Sequence, residues 1–160
     1  MTTNKNTKPI KILFVCTGNI CRSPMAQIIF ENIAKKHQKS AKNDQKYAGF
    51  VVKSAGIGAQ YGEFTSDLAL LALKKCGEGT HKPFASTLFT REMIGEFDRI
   101  VCMTAYHKQR IDPGSIYFNV QTLANYDIPD PWGYAEDIYI EVCKQLQTAV
   151  KELYNNICKM

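Results

Sequence analysis

Three observations predict an α/β fold built on a mostly parallel sheet with helices on both faces. Short apolar runs rich in β-branched residues alternate with segments of helical periodicity, the pattern of successive βαβ units. The 160 residues suit one domain, expected to span residues 1–160 with residues 1–9 flexible. Apolar residues at 45% and charged residues at 22% exclude a disordered chain, a collagen and a coiled coil.

The elements follow in order. Ile10 to Val15 is a mostly apolar run with three β-branched residues, expected as a buried first strand. Thr17-Gly18-Asn19 breaks it. Ser23-Pro24 starts a helix, since proline in the first turn gives up an N–H that has no helical partner anyway. Met25, Ile29 and Ile33 supply its buried stripe. Lys35 to Ala48 is polar and basic and is expected to be irregular. Phe50-Val51-Val52 is the second strand, closed by Ser54-Ala55-Gly56. Thr65 or Ser66 caps the next helix, with Leu68, Leu71 and Ala72 on one face and Gly77 just past its end. Arg99 to Met103 is the third strand and Ile116 to Val120 the fourth. The last helix is expected from about Tyr134 to Ile157, with Ile138, Val142, Leu146, Ala149, Leu153 and Ile157 inward.

Six cysteines would suggest disulfides in a secreted domain. However, Met1 to Lys8 is polar and basic, without the apolar stretch of a signal peptide, and no run approaches membrane-spanning length. The expectation is therefore free thiols in a reducing cytoplasm. The net charge of +5 is uneven. Residues 1–53 hold ten Lys/Arg against two acids, and residues 54–160 ten against thirteen. Such a basic half suits an anionic ligand. The cluster Lys35, Lys36, Lys39, Lys42 and Lys46 reads more simply as a solvated surface. No nucleic-acid motif accompanies it. His37, His81 and His107 lack metal-ligand spacing, so surface or packing roles are expected.

The chemistry lies in Val15-Cys16-Thr17-Gly18-Asn19-Ile20-Cys21-Arg22-Ser23-Pro24, between a strand and a helix. Ligands of open α/β sheets bind at the carboxyl ends of strands, and a helix N-terminus there favours anions. Successive backbone amides in such a turn form a nest for a phosphate-sized oxyanion, with Gly18 and Asn19 able to take positive φ. Cys16 and Arg22 stand in the spacing C-x5-R. The thiolate, not the thiol, is the nucleophile, and converging amides, a helix N-terminus and a guanidinium all favour it. Arginine adds a planar fork for two phosphoryl oxygens, which lysine cannot match. The Ser23 hydroxyl can donate to the Cys16 sulfur. The leaving group needs a proton donor. Asp127-Ile128-Pro129-Asp130-Pro131-Trp132 offers two carboxylates in a loop stiffened by prolines, beside the only tryptophan, and Asp130 is the preferred acid.

These motifs, together with Ser54-Ala55-Gly56 and the Cys102-Met103 strand end, resemble the low-molecular-weight protein tyrosine phosphatases over most of the chain from Ile10. The resemblance implies a four-stranded parallel sheet, a cysteinyl-phosphate intermediate, and neither metal nor other cofactor. It implies Cys16 as nucleophile, Arg22 as transition-state binder and Asp130 as general acid and then base. Thr17, Gly18, Asn19, Ile20 and Cys21 would form the phosphate loop, supported by Asn19, Ser23 and Ser54. Trp132 would line the pocket mouth, with Tyr61 or Gln60 opposite. Two departures stand out. Cys76 aligns where many members carry a loop-supporting histidine. Met103-Thr104, followed by His107-Lys108, is similar to the protein arginine phosphatases of the same superfamily. Those enzymes usually place threonine where this chain has Ile20, whose apolar wall suits a phenyl ring.

The expected activity is thus phosphotyrosine hydrolysis, on a protein or a small aryl phosphate, with a protein arginine phosphatase as the alternative. A thiol-linked arsenate reductase and a non-catalytic phosphate-binding module are weaker rivals. No nucleic acid or membrane insertion is expected, and the chain is expected as a monomer or weak dimer. Cys21 is expected to form a reversible disulfide with Cys16 under oxidant. Cys76, Cys102, Cys143 and Cys158 are expected to be buried packing residues.

Overall fold

The computed structural model describes residues 8–40 and 49–160. Lys42, Lys46 and most of the tail expected to be flexible lie outside the described residues. The elements run β1 (Ile10–Cys16), α1 (Arg22–Ser40), β2 (Phe50–Gly56), α2 (Asp67–Lys75), α3 (Met93–Glu96), β3 (Arg99–Cys102), α4 (Ala105–Ile111), β4 (Val120–Thr122) and α5 (Glu136–Lys159). The four strands form one parallel sheet in the order β2-β1-β3-β4. β1 is central and pairs along its whole length with β2, from Ile10↔Phe50 to Cys16↔Gly56.

The period-2 geometry of β1 divides the core. Ile12, Phe14 and Cys16 belong to the cluster under α1, α2 and α5, with Met25, Ile29, Leu73, Val142, Leu146 and Leu153. Leu13 and Val15 face the other way, into a smaller cluster with Ile94 of α3 and Ile111 of α4. The sheet is therefore covered on both faces, as the apolar run Ile12 to Cys16 of β1 requires. Phe30 fixes α1 over the sheet through ring contacts with Phe14 (6.0 Å), Phe50 (5.1 Å) and Tyr154 (5.4 Å). The chain leaves β1 toward β2 on one side, and β3 lies on the other. This switch of direction opens a crevice at the carboxyl ends of β1 and β3.

Several boundaries differ from the sequence expectation. α1 continues through Lys35, Lys36 and Lys39 to Ser40, because its exposed face tolerates lysines that helices accommodate well. In α2 the buried residues are Ala69, Ala72 and Leu73, while Leu68 and Leu71 are only partly covered. Ser66 is its N-cap, accepting from Ala69 N at 3.4 Å, and Gly77 follows its end at φ +84°. The largest error concerns the fourth strand, which is Val120–Thr122 rather than Ile116 to Val120. The Asp112 carboxylate accepts from Ile116 N and Tyr117 N, both at 3.0 Å, so those amides close a turn and cannot join the sheet. Ile116 and Phe118 consequently face solvent.

Candidate active site

The loop from Cys16 to Arg22 joins the end of β1 to the first turn of α1. Its carbonyls are held from outside. Cys16 O accepts from Ile57 N (3.0 Å), Thr17 O from Gly58 N (2.9 Å) and Ile20 O from Ser66 N (2.8 Å). Asn19 O accepts from Ser86 Oγ (3.3 Å), and Cys21 O from Met25 N (3.1 Å). In a trans peptide the N–H points opposite to the C=O. Five outward carbonyls therefore turn the amides of Thr17, Gly18, Ile20, Cys21 and Arg22 toward the inner side of the loop. That is the geometry of an anion nest at a helix N-terminus. Of the two residues able to take positive φ, Asn19 does so, at 56°, and Gly18 does not.

A glycine from the neighbouring strand makes the loop possible. A Cβ on Gly56 would lie 2.4 Å from Thr17 O, 2.8 Å from Asn19 N and 2.9 Å from Gly18 C. These are backbone atoms and cannot step aside. Gly56→Ala is expected to displace the cradle and lower kcat/KM on aryl phosphates by about 10²-fold, the scale of a 1 Å misplacement of reacting groups. Steady-state kinetics check this, and near-normal values would show that the loop can relax. The sequence presented Gly56 only as the close of a strand; its close approach to the loop is a three-dimensional fact.

Cys16 is 3% exposed, and its Sγ lies 3.0 Å from Ser23 Oγ. A hydrogen-bond chain orients this contact. Thr87 N donates to Asn19 Oδ1 (2.9 Å), which fixes the amide so that Nδ2 donates to Ser23 Oγ (2.8 Å). Ser23 has one proton left, and it faces Cys16 Sγ, with Ala55 O as a longer alternative at 3.4 Å. The Asn19 support thus comes from residues 86–87. Cys76, which aligned with a loop-supporting histidine, instead caps α2 with its sulfur toward Ile140 O of α5. Ser54 does not reach the loop either; its hydroxyl donates to Gln27 Oε1 of α1 at 2.7 Å.

Arg22 is buried and spans the site. Its Nη1 donates to Ile128 O (3.0 Å) and its Nη2 lies 3.5 Å from Asp130 Oδ2. One guanidinium therefore ties the Cys16–Arg22 loop to the loop carrying Asp130. The two candidate carboxylates separate clearly. Asp127 Oδ1 accepts from Ala105 N at the start of α4, a capping role. Asp130 accepts from Trp132 N through Oδ1 and leaves Oδ2 toward Arg22. Cys16, Thr17, Gly18, Ile20, Cys21, Arg22, Asp130 and Trp132 line one cavity of about 230 Å³. Glu63 completes the lining, a residue the sequence reading did not single out. Tyr61, expected on the wall, is fully exposed and outside that lining, as is Gln60.

His107 is the other residue the sequence undervalued. It is 1% exposed, with Nε2 at 2.9 Å from Thr17 Oγ1 and Nδ1 at 2.9 Å from Thr104 Oγ1. Burial, reinforced by the Arg22 charge, lowers its pKa to about 4 and keeps the ring neutral at physiological pH. Cys21 Sγ meets the buried Tyr139 hydroxyl at 3.4 Å, and burial pushes the Cys21 thiol up to about 11. Of the remaining cysteines, Cys102 and Cys143 are buried, Cys76 is partly covered and Cys158 is exposed. Among the described residues, no group of histidines, cysteines and acids could hold a metal ion.

Comparison with known proteins agrees with this geometry. The model of the low molecular weight phosphotyrosine protein phosphatase family matches residues 11–160. The chain is similar to a protein-arginine-phosphatase of Geobacillus stearothermophilus, 32% identical over 91% of this chain and 94% of that one. It is also similar to the low molecular weight protein-tyrosine-phosphatase PtpB of Staphylococcus aureus, 29% identical over 93% of this chain and 100% of that one. Among solved structures, a low molecular weight protein tyrosine phosphatase from Bacillus subtilis superposes with a TM-score of 0.79 at 30% identity, covering 94% and 98% of the two chains. The chain belongs to the low molecular weight phosphotyrosine protein phosphatase family, and with it to the hydrolases of phosphoric monoesters.

Proposed function

We propose that the chain hydrolyses phosphotyrosine, in proteins or as small aryl phosphates, through a phosphoryl group carried on Cys16. One observation carries this reading: Cys16 Sγ, the Arg22 guanidinium and the Asp130 carboxyl line the same cavity at an anion nest. Cys16 Sγ attacks phosphorus while the phosphorus–oxygen bond to the aryl group breaks. Asp130 delivers its proton to the departing oxygen. A water then attacks the cysteinyl phosphate and gives its proton to Asp130. Inorganic phosphate leaves and the Cys16 thiolate is restored. Arg22 and the loop amides hold the equatorial oxygens in both steps.

Ile20, partly covered in the cavity wall, supports the choice of an aromatic substrate. Arginine phosphatase activity is the second reading. It is favoured by Thr104 and His107 beside the loop and by the relative named for that activity. Turnover of matched phosphotyrosine and phosphoarginine peptides decides between them. The expected result is preference for phosphotyrosine, with Ile20→Thr moving the ratio toward phosphoarginine. An unchanged ratio would mean that Ile20 is not the selector. A thiol-linked reductase finds no support in Cys76 and Cys102, which pack on opposite sides of the sheet.

Cys21 is proposed as a redox guard. Peroxide oxidises Cys16 to the sulfenic acid, and the Cys21 thiol condenses with it, releasing water. The raised pKa of Cys21 leaves attack on phosphorus to Cys16, and its condensation with the sulfenic acid runs through a small thiolate fraction. Tryptic mass spectrometry after mild peroxide is expected to recover a Cys16–Cys21 disulfide; recovery of Cys16 only as sulfinic or sulfonic acid would sink the idea. All six cysteines are free, which supports a cytoplasmic location. Among the described residues no helix is long and apolar enough to cross a membrane. A monomer or weak dimer is proposed, to be read by sedimentation.

A further inference from the structure

We propose that the Thr17 side chain is a hydrogen-bond donor to the bound phosphoryl group, its proton aimed by a buried His107–Thr104 pair. This inference rests on the reading of the cavity as a phosphate site. It concerns a hydroxyl, whereas the nest itself is built from backbone amides.

The proton assignment follows from counting donors. Thr104 Oγ1 is the N-cap of α4 and accepts from the His107 backbone N–H at 3.2 Å. The same oxygen lies 2.9 Å from His107 Nδ1. Two arrangements are conceivable for a neutral ring. In one, Nδ1–H donates to Thr104, which then accepts twice and keeps a hydroxyl proton with no acceptor. In the other, the Thr104 hydroxyl donates to Nδ1, and every polar atom of the pair has a partner. Either arrangement leaves one hydroxyl proton without a protein partner; the second is favoured because that proton then belongs to the exposed Thr17 and not to the more covered Thr104, where leaving it unpaired costs more free energy. Nε2 then carries the ring proton and donates it to Thr17 Oγ1 at 2.9 Å. Thr17 is thereby made an acceptor toward His107, and its own proton is left for a partner elsewhere. Thr17 lines the cavity with Cys16 and Arg22, and unlike His107 it is exposed there.

Three elements cooperate: the loop after β1 supplies Thr17, and the end of β3 with α4 supplies Thr104 and His107. His107 touches no substrate and is a positioning residue. Burial, and after it the Arg22 charge, disfavours the imidazolium, so the ring stays in the neutral form that this relay needs.

Inorganic phosphate is the probe, its binding measured by calorimetry on the full chain and as competitive inhibition of p-nitrophenyl phosphate turnover. Thr17→Val, which removes the hydroxyl and keeps the shape, is expected to weaken phosphate about tenfold or more, the scale of one hydrogen bond to a charged group. Thr17→Ser is expected to return affinity to within about threefold. His107→Phe is expected to weaken phosphate in the parent and to add nothing further in the Thr17→Val background. Unchanged phosphate affinity in Thr17→Val overturns the assignment, as does an equal His107→Phe effect in both backgrounds, which would mark a structural role. If His107→Phe does not fold, the Val and Ser variants of Thr17 decide alone. Calorimetry reads phosphate binding even in a chain that hydrolyses nothing, so failure of the catalytic reading and failure of this one are distinguishable.

Discussion

Cys16→Ser is expected to lower turnover of aryl phosphates by roughly 10⁴–10⁶-fold, the scale seen when a covalent nucleophile is removed, while inorganic phosphate still binds. Oxygen replaces sulfur at the same place, yet a serine hydroxyl is far less ionised than a thiol and no base stands beside it. Ser23, at 3.0 Å, is a neutral hydroxyl and far too weak a base to take the proton. The cradle survives the change. Its carbonyls are held by Ile57, Gly58, Ser66 and Ser86, none of which depends on the Cys16 side chain. Loss of kcat with retained calorimetric phosphate binding is therefore the signature. Turnover within tenfold of the parent would remove Cys16 from the chemistry, and a non-catalytic phosphate-binding module would become the better description.

Asp130→Ala is expected to slow turnover by about 10²–10⁴-fold, the usual range for a general acid. The loss should depend on the leaving group. Phenyl phosphate releases a basic phenolate and needs the proton most, whereas p-nitrophenyl phosphate releases a stable anion and needs it least. A merely structural change would slow both substrates alike. Asp130 also lies 3.5 Å from Arg22 Nη2, so its removal changes the surroundings of the guanidinium. Arg22 keeps its bond to Ile128 O, which holds the loop in place without the carboxylate. Asp130→Asn tests this separation, for it keeps the turn that accepts from Trp132 N but cannot deliver the proton of an acid. An Asn variant as fast as the parent would contradict the assignment, and equal losses on the two substrates would point to loop disorder.

Local pattern made much of this legible in advance. Cys16, Arg22 and Ser23 lie within eight residues of one another, so a strand-to-helix loop brings them together by itself. β1 announced itself through a short apolar run, α5 through long apolar periodicity, and Ser66 and Gly77 through the chemistry of helix ends. What was missed is non-local. Thr17 and His107 are 90 residues apart, and no motif in one chain shows that a histidine after β3 turns back to the loop after β1. α4 escaped notice because only His107 and Ile111 of its seven residues are buried, too few to set a period. Ile116 to Val120 misled for the opposite reason: its apolar side chains suggested a strand, while the Asp112 carboxylate had claimed its amides. The family resemblance put Tyr61 or Gln60 on the pocket wall, yet the nearby carboxylate of Glu63 lines the cavity instead.

The most direct measurement is to mix the Asp130→Ala protein with p-nitrophenyl phosphate, quench within one turnover and map the phosphoryl group by peptide mass spectrometry. The loss of the base that activates water slows breakdown of the intermediate, so it should accumulate. A phosphoryl group is expected on Cys16 of the loop peptide and on no other residue. Nitrophenol release without any phosphorylated protein, or phosphoryl transfer to a different side chain such as Cys21, would contradict it.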